Sequence, residues 1–83
     1  MKLLYFAWVR QRIGRSEEEL TVPAGISTVG ALVEYLRGRG AGYEAAFRDA
    51  AFLRCAVNQQ HARFDAKIGP GDEVAFFPPV TGG

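Results

Sequence analysis

Eighty-three residues contain one cysteine, one histidine, one methionine and one tryptophan. A lone thiol cannot close an internal disulfide, and a secreted domain this small usually depends on such staples, so a reducing cytoplasm is the expected compartment. One His and one Cys supply two soft ligands where a structural zinc site takes four, so no metal site is expected. Charge of one sign is also missing. Ten Lys and Arg face nine Asp and Glu for a net +1, with the cations scattered, which leaves no electrostatic footprint for nucleic acid or an anionic membrane. No apolar run approaches the roughly 18 residues of a membrane span. The start, Met1 to Arg10, has no small-residue cleavage site and no second charge beside Lys2, so it reads as a strand and not as a signal peptide.

What is present is a folded domain poor in catalytic side chains. At 48% hydrophobic and 23% charged residues the composition excludes disorder, and the length allows one small core with little depth for an enclosed active site. Any nucleophilic pair must use His61 with Cys55, Ser16 or Ser27, and Cys55 is expected to face the core, as free cysteines tend to. Gly69-Pro70-Gly71-Asp72 opens no long helix and has no Lys-Ser/Thr pair, so it is a turn and not a phosphate cradle. The triplet Glu17, Glu18, Glu19 reads as the solvated start of a strand, and Arg37 and Arg39 as cations at the end of a helix. Arg10 follows the first strand directly and is read either as a partner contact or as a solvated charge.

The elements follow from periodicity and punctuation. Lys2–Val9 is a strand-length apolar run with Leu3, Tyr5 and Ala7 on one face and Leu4, Phe6 and Trp8 on the other. Two apolar faces fit a central strand, or a strand whose outer face is covered only by a docked partner. Arg10–Gly14 reads as a turn of helix closed by a left-handed glycine, and Glu18–Val22 as the return strand. Ser27 or Thr28 can cap a helix whose Val29, Leu32, Val33 and Leu36 fall at i, i+3, i+4 and i+7, with Gly30 permitting close approach to the sheet. Tyr43–Ala51 is a weaker, short helix with Phe47 inward. Leu53–Val57 is a strand with Cys55 and Val57 on one face, Asn58–Gln60 turns into a brief strand at His61–Arg63, and Asp65–Ile68 is a single helical turn. Glu73–Phe77 is the last strand, with Val74 and Phe76 inward and Ala75 and Phe77 outward. If the first and last strands pair in parallel around a right-handed crossover, the result is α+β: a β-grasp, the ubiquitin-like architecture, with a mixed sheet, one main helix across one face and short helical turns.

The organisation is then a domain over 1–79 and an extended tail over 80–83. Pro78 and Pro79 stop the last strand and stiffen the exit, after which Val80-Thr81-Gly82-Gly83 is narrow and ends on two residues with no side chain. With ten glycines in 83 positions, a chance Gly-Gly at one given place has a probability of roughly 1 to 2%. Such a tail can enter a tunnel and present a carboxylate to another protein's active site.

Gly71-Asp72-Glu73-Val74-Ala75-Phe76-Phe77-Pro78-Pro79-Val80-Thr81-Gly82-Gly83 closely resembles the ending of the molybdopterin synthase small-subunit family, the ubiquitin-like sulfur carriers of molybdenum cofactor biosynthesis. Ala56-Val57-Asn58-Gln59 is similar to the family's Val-Asn turn, and Phe6-Ala7 with Val9-Arg10 to its first-strand exit. The resemblance implies a carrier with no bound cofactor, whose catalytic side chains belong to the large synthase subunit. An E1-like adenylating enzyme would use ATP to convert the Gly83 carboxylate to an acyl adenylate, and a sulfur donor would yield a thiocarboxylate. The large subunit would accept the tail and pass the sulfur to cyclic pyranopterin monophosphate, in an assembly of two small and two large subunits. Phe6, Arg10, His61, Phe77, Pro78 and Pro79 would form the partner-binding surface, although His61 stands where the family carries an apolar residue. The alternatives are a carrier serving another acceptor (thiamine, tRNA), a lysine-conjugating modifier, or a non-catalytic β-grasp interaction module.

Overall fold

The computed structural model describes residues 1–79. Strand β1 spans Lys2–Tyr5, helix α1 Ala7–Ile13, β2 Glu17–Glu19, α2 Val29–Arg37, α3 Ala41–Phe47, a 3-10 turn Ala50–Phe52, β3 Arg54–Val57, β4 Gln60–Ala62 and β5 Glu73–Phe77. The strands form one sheet in the order β2-β1-β5-β3-β4. Strands β1 and β5 pair in parallel at its centre, Leu3 opposite Val74 and Tyr5 opposite Phe76, while every other pair is antiparallel. This is the mixed sheet and parallel central pair of the expected β-grasp.

The first strand is shorter than the run Lys2–Val9 suggests. Phe6 is extended (φ −127°, ψ 155°) and caps α1, and Ala7 turns the chain with φ 54°. Trp8 therefore lies on a helix and does not share a strand face with Phe6. A short apolar run fits both periods, and here Val9 and Ile13, at i and i+4, decide for the helix: Val9 is fully buried and Ile13 packs on the core. Gly14 ends the helix as expected, in the left-handed conformation (φ 92°) with its N–H donating to Arg10 O at 2.8 Å.

Helix α2 follows its pattern closely. Thr28 Oγ1 accepts from the Ala31 N–H at 3.2 Å, and Val29, Leu32, Val33 and Leu36 are all buried. Gly30 does permit a close approach, but by the connection after β4 and not by the sheet: its N–H donates to Phe64 O at 2.7 Å, and a Cβ there would meet that oxygen at 3.3 Å. Asp65–Ile68 is accordingly not helical. Asp65 lies in a turn closed by Ala66 N–H donating to Arg63 O at 3.0 Å, and the chain after it runs beside the residues leading into α2, with Lys67 bridged to Thr28 and Ile68 N–H donating to Ser27 O at 2.9 Å, bonds that satisfy the backbone better than an isolated helical turn.

The helices cover one face of the sheet. Leu3, Tyr5, Cys55, Val74 and Phe76 meet Val9, Leu32, Leu36 and Phe47 there, and Phe76 is stacked on Tyr5 (6.3 Å) and met edge-on by Phe47 (5.0 Å). The return strand β2 is Glu17–Glu19, not Glu18–Val22, and its centre is not solvated. Glu18 is buried, its Oε2 accepting from Tyr5 Oη at 2.8 Å and Tyr43 Oη at 2.7 Å, and its Oε1 from Arg39 Nη1 at 2.9 Å. Arg39 is thus half of a buried ion pair, and Arg37 closes on Glu44 at 2.8 Å, beyond the helix-end role read from sequence.

Candidate functional site

Alternation along the central strands fixes what the opposite, helix-free face displays. With Leu3, Tyr5, Val74 and Phe76 turned inward, one row across the outer face runs Glu17, Leu4, Ala75, Ala56, His61. The next row toward the end of β5 pairs Phe77 with Arg54. Ala75 and Ala56 point outward but are only 8% exposed, as short side chains between Leu4 and His61 must be. They make the middle of this face shallow and apolar.

Phe6, Phe77 and His61 are brought together at one end of that face. Phe6 N–H donates to Phe76 O at 3.1 Å, which carries the parallel ladder one step past β1, and its ring is 49% exposed. The His61 ring meets Phe77 edge-on at 5.4 Å. This imidazole is therefore in the patch, doing the packing that an apolar residue would do at its position. Its hairpin is tight because Asn58 and Gln59 both have positive φ (51° and 70°), the type I′ geometry that suits two-residue hairpins. Asn58 also anchors β5: its Oδ1 accepts from Glu73 N–H at 3.0 Å, and its Nδ2 donates to Asp72 Oδ1 at 2.9 Å. The bond from Asn58 Nδ2 and one from Gly69 N–H hold the Asp72 carboxyl below its usual range.

Pro78 and Pro79 leave the sheet beside this patch. Together with Trp8, Arg12, Asp49 and Phe52 they line an open groove of about 430 Å³. Sequence reasoning missed Trp8, read as a strand residue, and Phe52, 61% exposed in the 3-10 turn, where no periodicity marks it. Arg10 is exposed on α1, one turn beyond Phe6, whose carbonyl accepts its N–H at 3.3 Å. It stands at the exit end as expected, but from a helix and not at the end of a strand. Val80, Thr81, Gly82 and Gly83 lie outside the described residues.

Among the described residues the lone thiol and the lone imidazole form no nucleophilic pair. Cys55 and His61 sit on opposite faces of the sheet, Cys55 opposite Ala62 and His61 opposite the outward Ala56. The thiol donates to Ala62 O at 3.2 Å, and burial pushes its pKa up, away from the reactive thiolate. Among the described residues no three His, Cys, Asp or Glu side chains are grouped to hold a metal, and no helix is long and apolar enough to cross a membrane.

Residues 3–83 match the ThiS family. The chain is 43% identical over 83 residues to the molybdopterin synthase sulfur carrier subunit of Escherichia coli, covering 100% of this chain and 99% of that protein. It is 34% identical, over the same shares, to the protein of that name from Haemophilus influenzae. Among solved structures, SAMP1 from Haloferax volcanii superposes with a TM-score of 0.77 at 27% identity, over 100% of this chain and 98% of that one.

Proposed function

We infer the function from the premise that this chain belongs to the ThiS family. It is a ubiquitin-like sulfur carrier, the small subunit of a molybdopterin synthase, and a large synthase subunit is its partner. The observation that carries this reading is the full-length likeness to molybdopterin synthase sulfur carrier subunits, on a fold that delivers Pro78 and Pro79 beside an exposed apolar patch.

The chemistry we propose uses the backbone and not a side chain. An E1-like enzyme adenylates the Gly83 carboxylate with ATP, releasing pyrophosphate. A sulfur donor then displaces AMP to leave a thiocarboxylate, and the large subunit takes the tail and transfers the sulfur to cyclic pyranopterin monophosphate in the cytoplasm. Gly82 and Gly83 suit a tunnel shaped for bare backbone, with Val80 and Thr81 as the rest of the tail. Phe6, Phe77 and His61, with Arg10 at the rim and Pro78–Pro79 holding the direction of exit, form the docking surface, in a heterotetramer of two small and two large subunits. The reading is supported by the patch geometry: aromatic anchors with a cationic rim are the composition that concentrates binding energy at interfaces.

The test is the intact mass after incubation with ATP, the adenylating enzyme and a sulfur donor, followed by mixing with the large subunit and the pterin precursor. Replacement of one oxygen by sulfur, then its loss as molybdopterin forms, is the expected result. Deleting Gly82–Gly83 should abolish both while leaving the melting temperature unchanged, and a truncated chain that still supports transfer would refute the role of Gly83. A second reading has support in the likeness to SAMP1, since another solved structure of similar shape is a small archaeal modifier protein. In that case the same activated Gly83 is passed to a lysine amine of another protein, and an isopeptide product in the assay identifies it.

A further inference from the structure

An activated acyl group beside a protein surface is at risk from that surface. Amines and thiols capture such a group most readily in a lasting amide or thioester, and this chain holds few of either: two lysines, Lys2 and Lys67, the Met1 amine and Cys55, against eight arginines. Their placement is one-sided. Lys2 lies opposite Glu73, the first residue of β5, with its Nζ 3.6 Å from Glu17. The Met1 amine donates to Leu20 O at 3.1 Å on the same end. Lys67 is bridged to Thr28, just before the Gly69–Asp72 turn that starts β5. The thiol is sealed on the inner face at 1% exposure.

The exit end carries positive charge of a different kind. Arg54 is opposite Phe77, the last residue of β5, and Arg12 shares the groove with Pro78 and Pro79. A guanidinium stays protonated and is no acyl acceptor near neutral pH. A lysine, with an ordinary pKa of about 10.4, always offers a small neutral fraction. We propose that this distribution is a specificity device: positive charge beside the exit is supplied by arginine, while every amine and the thiol are withheld from it, so the activated Gly83 cannot be consumed by its own chain. The proposal rests on the reading that Gly83 is activated.

Geometry makes the separation effective. Four strand steps of about 3.3 Å put the first residue of β5 about 13 Å behind the last. The four residues after Pro79 span at most about 14 Å, so the tail would have to reverse at two fixed proline φ angles and run straight back at full stretch to meet Lys2. A lysine at position 12 or 54 would need no such path. Its Nζ lone pair would attack the Gly83 carbonyl carbon, the new C–N bond replacing the bond to AMP or to a thiol, with the leaving group taking the electron pair and the amine proton going to solvent. The step involves no change of oxidation state.

The test installs the activation chemically. The full chain is released from an intein fusion as its Gly83 α-thioester, held dilute at mildly alkaline pH, and followed by intact mass. The native sequence should yield the free acid and no product lighter than it by one water. Arg54→Lys and Arg12→Lys, each checked for an unchanged melting curve, should form that lighter, cyclised product at about tenfold the native rate or more, as intramolecular reactions of suitable reach do, with peptide mapping placing the amide on the new lysine. Cyclisation of the native chain onto Met1, Lys2 or Lys67 at a comparable rate overturns the proposal, as does failure of both variants to cyclise. Because no adenylating enzyme takes part, these outcomes are independent of whether such an enzyme acts on this chain.

Discussion

Glu18→Ala should be the most damaging single change away from the apolar core. The carboxylate of Glu18, 5% exposed at its side chain, accepts from Tyr5 on β1, Tyr43 on α3, Arg39 after α2 and, at 3.4 Å, Arg15 in the loop before β2. Removing it leaves the Tyr5 hydroxyl unpaired in the core, at a cost of about 1–3 kcal/mol. Arg39 loses its partner too, but at 30% side-chain exposure water recovers much of its charge, which keeps the total near 3 kcal/mol, the low end for a broken buried pair. A chain of this length is stable by about 4–12 kcal/mol, so the variant loses a large share and melts about 12–24 °C lower. Urea unfolding followed by the fluorescence of Trp8, the one tryptophan, measures this directly. A loss below about 1 kcal/mol would show that the cluster holds nothing together. The pH dependence gives an independent check. Burial acts to raise the Glu18 pKa, but hydrogen bonds from Tyr43, Tyr5 and Arg39 outweigh it and hold the group below its ordinary value of 4.5. A depressed carboxylate contributes stability above its unfolded pKa and loses it as pH falls through the folded one. Glu18→Gln should therefore flatten the part of the acid-unfolding profile that lies below about pH 4.5.

Three further substitutions test other links. Gly42→Ala should cost about 1–3 kcal/mol, because a Cβ there would lie 2.5 Å from the backbone oxygen of Arg12 and push α3 off α1; an unchanged urea midpoint would contradict that packing. Asn58→Ala should cost about 1–2 kcal/mol, since it removes both side-chain bonds to the start of β5 and places alanine at φ 51°, and Asn58→Gly should recover part of the loss in the same melt. Phe77→Ala should weaken binding to the large synthase subunit by about 2 kcal/mol, roughly thirtyfold in Kd, with little change in stability, and calorimetry giving an unaltered Kd would remove Phe77 from the interface.

The elements that depend on local pattern were legible, and those that depend on a distant partner were not. Val29, Leu32, Val33 and Leu36 announce α2 because their spacing matches a helix and no strand, and Glu73–Phe77 is bounded by a turn and two prolines that allow nothing longer. The run after Tyr5 was not legible, because Ala7, Trp8 and Val9 fit either period and only the packing of Val9 and Ile13 on the core selects the helix. Asp65–Ile68 followed the same logic, its conformation set by backbone bonds to Ser27 and Thr28 nearly forty residues earlier. Glu18 shows the cost of reading charge by composition alone. A row of three glutamates suggests solvent, and nothing local says that the middle one will meet two tyrosine hydroxyls and a guanidinium. For the candidate site, strand alternation places Phe77 and Phe6 on the outer face and the prolines announce the exit by their own chemistry, whereas Trp8 and Phe52 have no such signal, since their groove is built by α1 and the 3-10 turn meeting at the end of β5.

One register serves both faces of the sheet. The parallel pairing of Leu3 with Val74 and Tyr5 with Phe76 buries four residues, and it also places Leu4, Ala75, Ala56 and His61 in one outer row with Phe77 at its edge. A slip of one residue would turn Phe76 outward and Phe77 inward, undoing the aromatic core and the outer apolar patch together. The hydrogen bonds that join Asn58 with Asp72 and Glu73 therefore stabilise the end of the sheet opposite the exit, yet fix the step of β5 that sets which phenylalanine lies on the outer face. Stability concentrates on the helix-covered side, in the Glu18 cluster and the Tyr5–Phe47–Phe76 contacts, and leaves the outer face free of structural demands beyond small side chains at 56 and 75. The core therefore carries the stability while the apolar patch stays open on the other side of the same sheet, which is the separation that the proposed carrier role requires.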